Sequence, residues 1–401
     1  MMTTNSNIPA GYKDSAVGII PQEWEVTTLG KLVSITSGES PSLYNLQSSG
    51  KYPYVKVEDM NNCEKYQVFS REYSDDEKGA IPKGSIIFPK RGAAIINNKV
   101  RIADCALYMD SNMMAITPNE YVCGDYLYFK ITFEKLYKIA DTSTIPQINN
   151  KHIIPYKLAV PPMGEQGKIA EILGVWDETI EKQSRLIERL EVRKRALMQR
   201  LLSGRTRLPG FTTPWQKIKL GEIFRERNET RCEYLPLLSI TADKGVILQS
   251  ESDKKDTSNE DKSKYKRICP NDIGYNTMRM WQGRSALSSL EGIISPAYTI
   301  VTPKVDVEMM FVSELIKQPR VVYDFWTHSH GLVGDTLNCK FHDFSQVKVA
   351  IPSLPEQMAI AEVLTTADNE IAIHRKKLDA LRIQKRGLMQ QLLTGKTRVK
   401  I

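Results

Sequence analysis

The feature that most constrains this chain is a 49-residue segment that occurs twice. Residues 160–208 return without a gap at residues 351–399, and 20 of the 49 positions are identical. The best-matched part is KRALMQRLLSGRTR against KRGLMQQLLTGKTR, 191 residues later. Helical composition alone does not give this agreement, so the chain contains an internal repeat.

Each copy is predicted to form one long helix. Prolines precede a Glu-Gln pair in the first turn, and Gly204 or Gly395 follows the last turn. Apolar residues recur every seven positions, with a second set interleaved, which predicts a coiled-coil seam that also contains Lys194 and Lys385. The predicted helix–helix seam residues are Ile180, Ile187, Leu190, Leu197, Leu201, Ile371, Leu378, Leu381, Leu388 and Leu392. Two amphipathic helices, each packed on its own domain, are the alternative.

A second match shares the same shift. Trp24 and Leu29-Gly30 reappear as Trp215 and Leu220-Gly221. The chain is therefore predicted to be a tandem of globular unit and helix, with boundaries at residues 1–158, 159–208, 209–350 and 351–401. The two globular stretches hardly resemble each other, so two similar scaffolds carry two different domains.

Length, charge and cysteines narrow the class of protein. The chain has 401 residues, a net charge of +8 and six dispersed cysteines without a CxxC pair, as expected of reduced thiols. The basic excess falls on the two helical segments, whereas residues 1–158 carry 17 basic and 17 acidic side chains. No apolar run is long enough to span a membrane and the first residues lack a signal-peptide core, so we expect a cytoplasmic protein without a membrane partner.

The motifs of common enzymes are missing from the sequence. It contains no GxxxxGK[ST] phosphate-binding loop and no Asn/Asp-Pro-Pro-Tyr/Phe motif of amino-methyltransferases. His328 and His330 have no cysteine nearby at zinc spacing, and the acidic run Asp75–Glu77 is better explained as a solvated turn. We therefore expect no catalytic residue, no cofactor-binding residue and no metal site in this chain.

Both globular stretches alternate short strands with one or two helices. Residues 52–60, 81–104, 235–241 and 245–248 show strand patterns, and residues 122–140 and 309–326 are predicted to be helical. Residues 251–267 are predicted to form an exposed loop or solvated helix. Residues 268–286 take the place in the second stretch that the Lys90-Arg91-Gly92 segment has in the first. The sequence thus predicts an α+β protein.

Three duplicated or distinctive motifs resemble a known family. GIIPQEW, the pair PPMGEQGKIAEIL and PSLPEQMAIAEVL, and the repeated LMQ-LL-G-TR helix ends are similar to the specificity subunit of Type I restriction-modification systems. The resemblance covers almost the whole chain. The rival interpretation is a coiled-coil DNA-binding adaptor or regulator without an enzyme partner, which would more often show a helix-turn-helix.

The resemblance implies both an architecture and a set of partners. Two target-recognition domains each read half of a bipartite site in double-stranded DNA, and two long antiparallel helices with pseudo-two-fold symmetry separate them. The helices space the half-sites and dock two methyltransferase subunits, and a restriction subunit with helicase and nuclease activity joins them. S-adenosylmethionine and ATP are then expected on the partner subunits. Because the two domains differ, the resemblance implies that the DNA site is asymmetric. Because the cofactors are expected on the partners, it also implies that this subunit is not itself an enzyme.

Candidate contacts follow from residue type and position. Arg paired with guanine and Asn or Gln paired with adenine are favoured in the major groove, and residues of these types, with a lysine, lie in predicted polar loops. The predicted DNA-binding residues are Lys90, Arg91, Asn97, Asn98, Gln147, Asn149, Arg279, Gln282 and Arg284. The predicted subunit-interface residues, at matching positions of the two repeats, are Glu165, Gln166, Met198, Leu202, Glu356, Gln357, Met389 and Leu393. Solvated loop residues in the first set, and packing onto the chain's own domains in the second, are the alternatives.

Overall fold

A computed structural model describes residues 8–77, 79–142, 145–241, 244–252, 256, 258–331 and 337–400. Several residues of the predicted loop 251–267 lie outside the described residues, as do the first seven residues of the chain. Backbone contacts divide the chain into two compact units. Unit 1 is Met1–Ser184 with Lys376–Ile401, and unit 2 is Arg185–Arg375.

Unit 1 is rich in short strands. Its strands are β1 (Tyr12–Lys13), β2 (Ile20–Pro21), β3 (Glu25–Thr28), β4 (Val33–Ser37), β5 (Tyr52–Val55), β6 (Tyr66–Gln67), β7 (Glu72–Ser74), β8 (Ile86–Pro89), β9 (Arg101–Ala103), β10 (Tyr108–Met109), β11 (Met113–Pro118) and β12 (Lys157–Val160). Its short helices are α1 (Ala93–Ile96), α2 (Gly124–Glu134), α3 (Leu136–Ile139) and α4 (Asn150–Ile153), and the long helix α5 (Met163–Leu201) begins in this unit.

Unit 2 repeats this mixture. Its strands are β13 (Gln216–Lys219), β14 (Phe224–Glu226), β15 (Leu238–Thr241), β16 (Gly245–Leu248), β17 (Lys266–Ile268), β18 (Ile273–Asn276), β19 (Ser285–Leu287), β20 (Gly292–Ile294), β21 (Tyr298–Pro303) and β22 (Lys348–Ile351). Its helices are α6 (Leu220–Ile223), α7 (Met309–Leu315), α8 (Pro319–His328) and α9 (Phe341–Gln346). The second long helix, α10 (Leu354–Leu393), begins in unit 2 and ends in unit 1.

The repeat of the sequence extends into the sheets. β3 pairs with β12 antiparallel in unit 1, and their counterparts β13 and β22, each 191 residues later, pair the same way in unit 2. The larger sheets run β4-β11-β8-β9-β6 and β14-β21-β18-β19, so four strands follow one order in both units. Dissimilar sequences therefore share one antiparallel framework, and the segment around Lys90 in unit 1 is equivalent to the segment around Arg279 in unit 2.

The long helices run antiparallel within each unit. In unit 1, Ile169 and Leu173 near the start of α5 share a buried core with Leu392 and Leu393 at the end of α10. In unit 2, Leu201 and Leu202 at the end of α5 share a core with residues near the start of α10. The predicted α+β class, with two β-rich units and two long packed helices, is confirmed.

The polar residues of the predicted seam form ion pairs between the helices. Lys194 Nζ lies 2.7 Å from Asp368 Oδ1 in unit 2, and Lys385 forms the corresponding pair with Asp177 in unit 1. Both members of one pair lie 191 residues from their counterparts in the other. Each of the ten apolar seam residues is buried or half-buried, which supports the seam assignment.

Two predicted helices are each interrupted. The helix predicted over 122–140 breaks at Lys135, which has a φ of 69° and separates α2 from α3. The helix predicted over 309–326 divides before Pro319, which begins α8 because proline has no N–H to continue α7.

Candidate nucleic-acid interface

A tight turn in unit 2 presents three of the predicted DNA-binding residues. β18 ends at Asn276, and a 3-10 turn (Met280–Gln282) leads through Gly283 into β19. Met280 is fully buried and anchors the turn, while Gly283 has a φ of 72°, a conformation that favours glycine. Arg279, Gln282 and Arg284 are placed around this anchored turn.

These three side chains line one open cleft of about 750 Å³. The cleft also contains Lys244 and Lys317, so four cationic side chains surround it, and none of its described lining residues is acidic. Lys317 is partly neutralised by Glu314, 2.9 Å away. Cations with neighbouring amide and hydroxyl groups suit a phosphate backbone and base edges. The remaining lining residues are Ile240, Thr241, Ile247, Ser252, Asn276, Gly283, Ser285 and Tyr298.

Short-range sequence patterns do not predict several of the residues that line this cleft. Thr241 and Lys244 come from the β15–β16 hairpin, whose strands pair antiparallel some 40 residues before the turn. Tyr298 comes from the start of β21, and Lys317 follows α7. Only the tertiary fold brings these residues to the turn, so sequence reasoning missed them.

In unit 1 the structure brings together Lys90, Arg91 and Gln147. Ile148 N donates to Lys90 O at 2.9 Å, and Gly92 N donates to Pro146 O at 2.9 Å, so the two loops pair as a short antiparallel bridge. Arg91 is exposed, whereas burial and the charge of Arg91 lower the pKa of Lys90. Gln147 lies 56 positions after Arg91, and the three residues together place cationic and amide groups side by side.

Of the three asparagines predicted to contact DNA in unit 1, one is hydrogen-bonded within the chain and two are exposed. Asn98 Nδ2 donates to Thr132 O at 2.8 Å, and Asn98 Oδ1 accepts from Leu136 N at 2.9 Å. Both ends of this amide bind the chain itself, so we remove Asn98 from the candidate DNA contacts. Asn97 is exposed at the end of α1, and Asn149 is exposed at the start of α4.

The repeated Glu-Gln pairs connect the start of each long helix to other segments of the same unit. In unit 1, Arg398 Nε and Nη2 donate to the Glu165 carboxylate at 2.8 and 2.9 Å, and Trp24 Nε1 donates to it at 3.1 Å. In unit 2, Arg207 Nε and Nη2 reach the Glu356 carboxylate at 2.5 and 2.6 Å. Both carboxylates are fully buried.

The adjacent glutamines repeat a second contact. Gln166 Oε1 accepts from Cys123 N at 2.8 Å just before α2, and Gln357 Oε1 accepts from Glu308 N at 3.0 Å just before α7. Each glutamine also donates to the proline carbonyl five residues earlier. The structure therefore gives both Glu-Gln pairs an internal role.

The apolar residues predicted at the subunit interface are also used internally. Leu202, Met389 and Leu393 are buried in the cores of their units, and Met198 is half-buried against the unit 2 core. These side chains present little surface to a partner.

Within the described residues, no cluster of His, Cys, Asp and Glu has a geometry suited to a metal ion. The helices that the structure describes include none that is long and apolar enough to cross a membrane.

Comparison with known proteins identifies a family that is similar to this chain over most of its length. The family model for the Type I restriction modification DNA specificity domain matches residues 21–192 and 317–382, which is more than half of the chain. The Type I restriction enzyme MjaVIII specificity subunit of Methanocaldococcus jannaschii is 23% identical over 95% of this chain and 94% of its own length.

Two solved structures share the fold. The S subunit of a Type I restriction-modification system from M. genitalium has a TM-score of 0.54 at 16% identity and covers 98% of both chains. A chain from a structure on complex assembly and conformational transition of the type I R-M system has a TM-score of 0.60 at 16% identity, covering 94% of this chain and 99% of that one. This protein therefore belongs to the Type I restriction-modification DNA specificity family.

Proposed function

We propose that each unit of this chain reads one half of an asymmetric, bipartite site in double-stranded DNA. In unit 2 the reading surface is the cleft around Arg279, Gln282 and Arg284, and in unit 1 it is the surface formed by Lys90, Arg91 and Gln147. The observation that supports this proposal most strongly is the cleft, because three residues chosen by base-pairing chemistry line it with two further cations. The two units share a framework and differ in these loops, which is why the two half-sites should differ.

Specificity subunits of this family are non-catalytic and carry no cofactor, so this chain is not an enzyme. S-adenosylmethionine and ATP belong to the methyltransferase and restriction subunits of the complex. We propose that this chain assembles with two methyltransferase subunits and with a restriction subunit. Because α5 and α10 each contribute residues to both units, we assign the spacing of the half-sites to these helices.

The docking surfaces follow from exposed apolar residues that obey the repeat. Met163 and Leu354 are both exposed and lie 191 residues apart, as do Val192 and Ile383, which are 56% and 67% exposed. Unit 1 contains Met163 and Ile383, and unit 2 contains Leu354 and Val192. Exposed apolar residues at matching positions of the two repeats suit two copies of one partner. We therefore assign one methyltransferase copy to the unit 1 residues Met163 and Ile383, and the other to the unit 2 residues Leu354 and Val192.

Changing Ile383 to Asp, or Val192 to Asp, is expected to reduce the methyltransferase copies bound to this chain from two to one. Changing both should leave none, because a carboxylate inside an apolar contact is not compensated. Native mass spectrometry of the co-purified complex measures the copy number. Val175→Asp is the matched control, since Val175 is 59% exposed on α5 and its counterpart is Thr366. Two copies retained by the double variant would refute the assignment.

Arg91→Ala and Arg279→Ala are each expected to weaken DNA binding and to lower the salt dependence of the affinity. Each change removes one exposed or half-exposed cation from a proposed DNA surface, so the slope of log K against log salt should fall by about 1. A salt titration of the purified complex on a target duplex measures this slope, with Arg225→Ala as a charge-matched control outside the cleft. Unchanged affinity in both variants would contradict the proposal.

A further inference from the structure

One face of α8 in unit 2 is aromatic and exposed. Val321 and Phe325 point into the core of the unit, whereas Tyr323 and Trp326 are 60% and 47% exposed. The Tyr323 and Trp326 ring centroids lie 5.5 Å apart with the planes tilted by 32°. Single exposed aromatic residues are common on protein surfaces, but neighbouring exposed rings more often mark a binding surface.

A third ring extends this surface toward the basic cleft. Trp281 belongs to the same turn as Arg279 and Gln282, and its Nε1 donates to Met278 O at 3.0 Å. Together with Pro319 and Val322, the three aromatic residues line a groove of about 390 Å³. We call this the aromatic groove.

The aromatic groove and the basic cleft share a wall. Gly283 lines the cleft, and a Cβ built at Gly283 would lie 3.1 Å from Val322 Cγ2, which belongs to the groove. The turn residue Gln282 lines the cleft while its neighbour Trp281 lines the groove. The aromatic groove and the basic cleft therefore adjoin each other on unit 2.

Charge favours a nucleic acid over an acidic or neutral protein surface as the occupant. None of the described residues that line the groove is acidic, and Pro319 at its rim is followed by the exposed Arg320. The adjoining cleft adds Arg279 and Arg284. Flat rings beside cations are the combination that binds bases, since the rings stack on base faces and the cations hold phosphates.

We propose that Trp281, Tyr323 and Trp326 form a stacking site for a base of the target DNA that is locally unstacked next to the half-site read by the cleft. This inference rests on the proposed function of the cleft. The aromatic groove would then contribute to specificity through the ease with which one base step opens, in addition to the direct contacts in the cleft.

The test measures the affinity of the purified complex for a duplex carrying the site identified by methylome sequencing. Trp326→Ala and Tyr323→Ala should each weaken binding by roughly tenfold, because one stacking partner is lost. Trp326→Phe should retain most of the affinity, since it keeps an aromatic face. Tyr234→Ala is the matched control, because Tyr234 is 79% exposed in unit 2 and lies outside the aromatic groove.

A mismatch scan separates stacking from simple contact. Single mismatches placed along and beside this half-site remove most of the cost of unstacking at one step. One position should bind the wild-type complex more tightly, and Trp326→Ala should lose that gain. If Trp326→Ala binds like the wild type, or keeps the gain from the mismatch, the aromatic groove does not stack on DNA.

Two further outcomes would overturn the inference or its foundation. Loss of a methyltransferase copy from Trp326→Ala, with unchanged affinity for DNA, would make the aromatic groove a protein-docking surface and refute the inference alone. If the wild-type complex binds the target duplex no better than a scrambled one, the proposed function itself fails.

Discussion

Replacing Arg398 with Met is expected to lower the free energy of unfolding of unit 1 by about 3 kcal/mol, because it leaves a buried carboxylate without its cation. Glu165 is fully buried and receives two hydrogen bonds from Arg398 and one from Trp24. The bidentate pair with Glu165 also raises the pKa of Arg398 above its usual range. Removing one partner of a buried ion pair is far more costly than removing an exposed one.

Hydrogen exchange through residues 388–393, read alongside denaturant unfolding, localises this loss to unit 1. Arg382→Met is the matched control, because Arg382 lies on α10 in the same unit, is exposed and approaches Asp379 only to 4.0 Å. The control should change stability by less than about 0.5 kcal/mol. Arg207→Met should affect unit 2 in the same direction through Glu356. If Arg398→Met were no more destabilising than Arg382→Met, the ion pair between Arg398 and Glu165 would not stabilise unit 1.

The second large effect is expected in DNA recognition. Changing both Gln282 and Arg284 to Ala should make the complex insensitive to the sequence of one half-site while leaving the other half-site fully discriminated. Each base contact of this kind discriminates by about 1–3 kcal/mol, so two together should change discrimination on the order of a hundredfold. The effect is confined to one half because both residues belong to unit 2.

Four duplexes measure this effect: the target site, the site with either half scrambled, and the site with both halves scrambled. The wild-type complex should lose affinity when either half is scrambled. The double variant should respond to only one of the two scrambled halves. Arg225→Ala, which removes one positive charge of unit 2 outside the cleft, should still discriminate both. A double variant that discriminates both halves as the wild type does would exclude these residues as readers of bases.

The framework of the protein follows directly from the repeat in its sequence. The shift of 191 residues predicts the long helices, and the same shift relates β3 to β13 and β12 to β22. Apolar residues at intervals of seven predict the buried seam, since periodicity reports the side of a helix that is covered. Lys194 and Lys385 fall at the same seven-residue intervals. In the structure, each forms an ion pair with an aspartate of the other helix.

Side-chain roles were harder to predict because residue type does not distinguish a surface group from one bound within the chain. Asn98 and the two Glu-Gln pairs have residue types common at interfaces, yet their partners come from distant segments such as Thr132 and Arg398. Matching positions in the two repeats predict Leu202 and Leu393 as interface residues, but the core of each unit covers these side chains. Val192 and Ile383, which are exposed, are also apolar residues at matching positions of the two repeats, so the sequence does not distinguish them from the buried pair.

The cleft shows the same division between local and tertiary information. Base-pairing chemistry and the equivalence of two loop segments predict Arg279, Gln282 and Arg284. Nothing local indicates that Thr241 or Tyr298 joins them, because those contacts depend on strand pairing across unit 2. The aromatic groove was missed for a related reason, since the burial of Phe325 and the exposure of Trp326 are set by the packing of α8.

Methylome sequencing of cells with and without the gene tests whether this chain sets the DNA specificity of a Type I complex. We expect an asymmetric, bipartite methylated motif that is present with the gene, disappears without it and returns on complementation. With the Gln282 and Arg284 double variant, one half of the motif should relax while the other stays intact. A methylation pattern that is unchanged when the gene is removed would mean that this chain does not set the specificity of the complex.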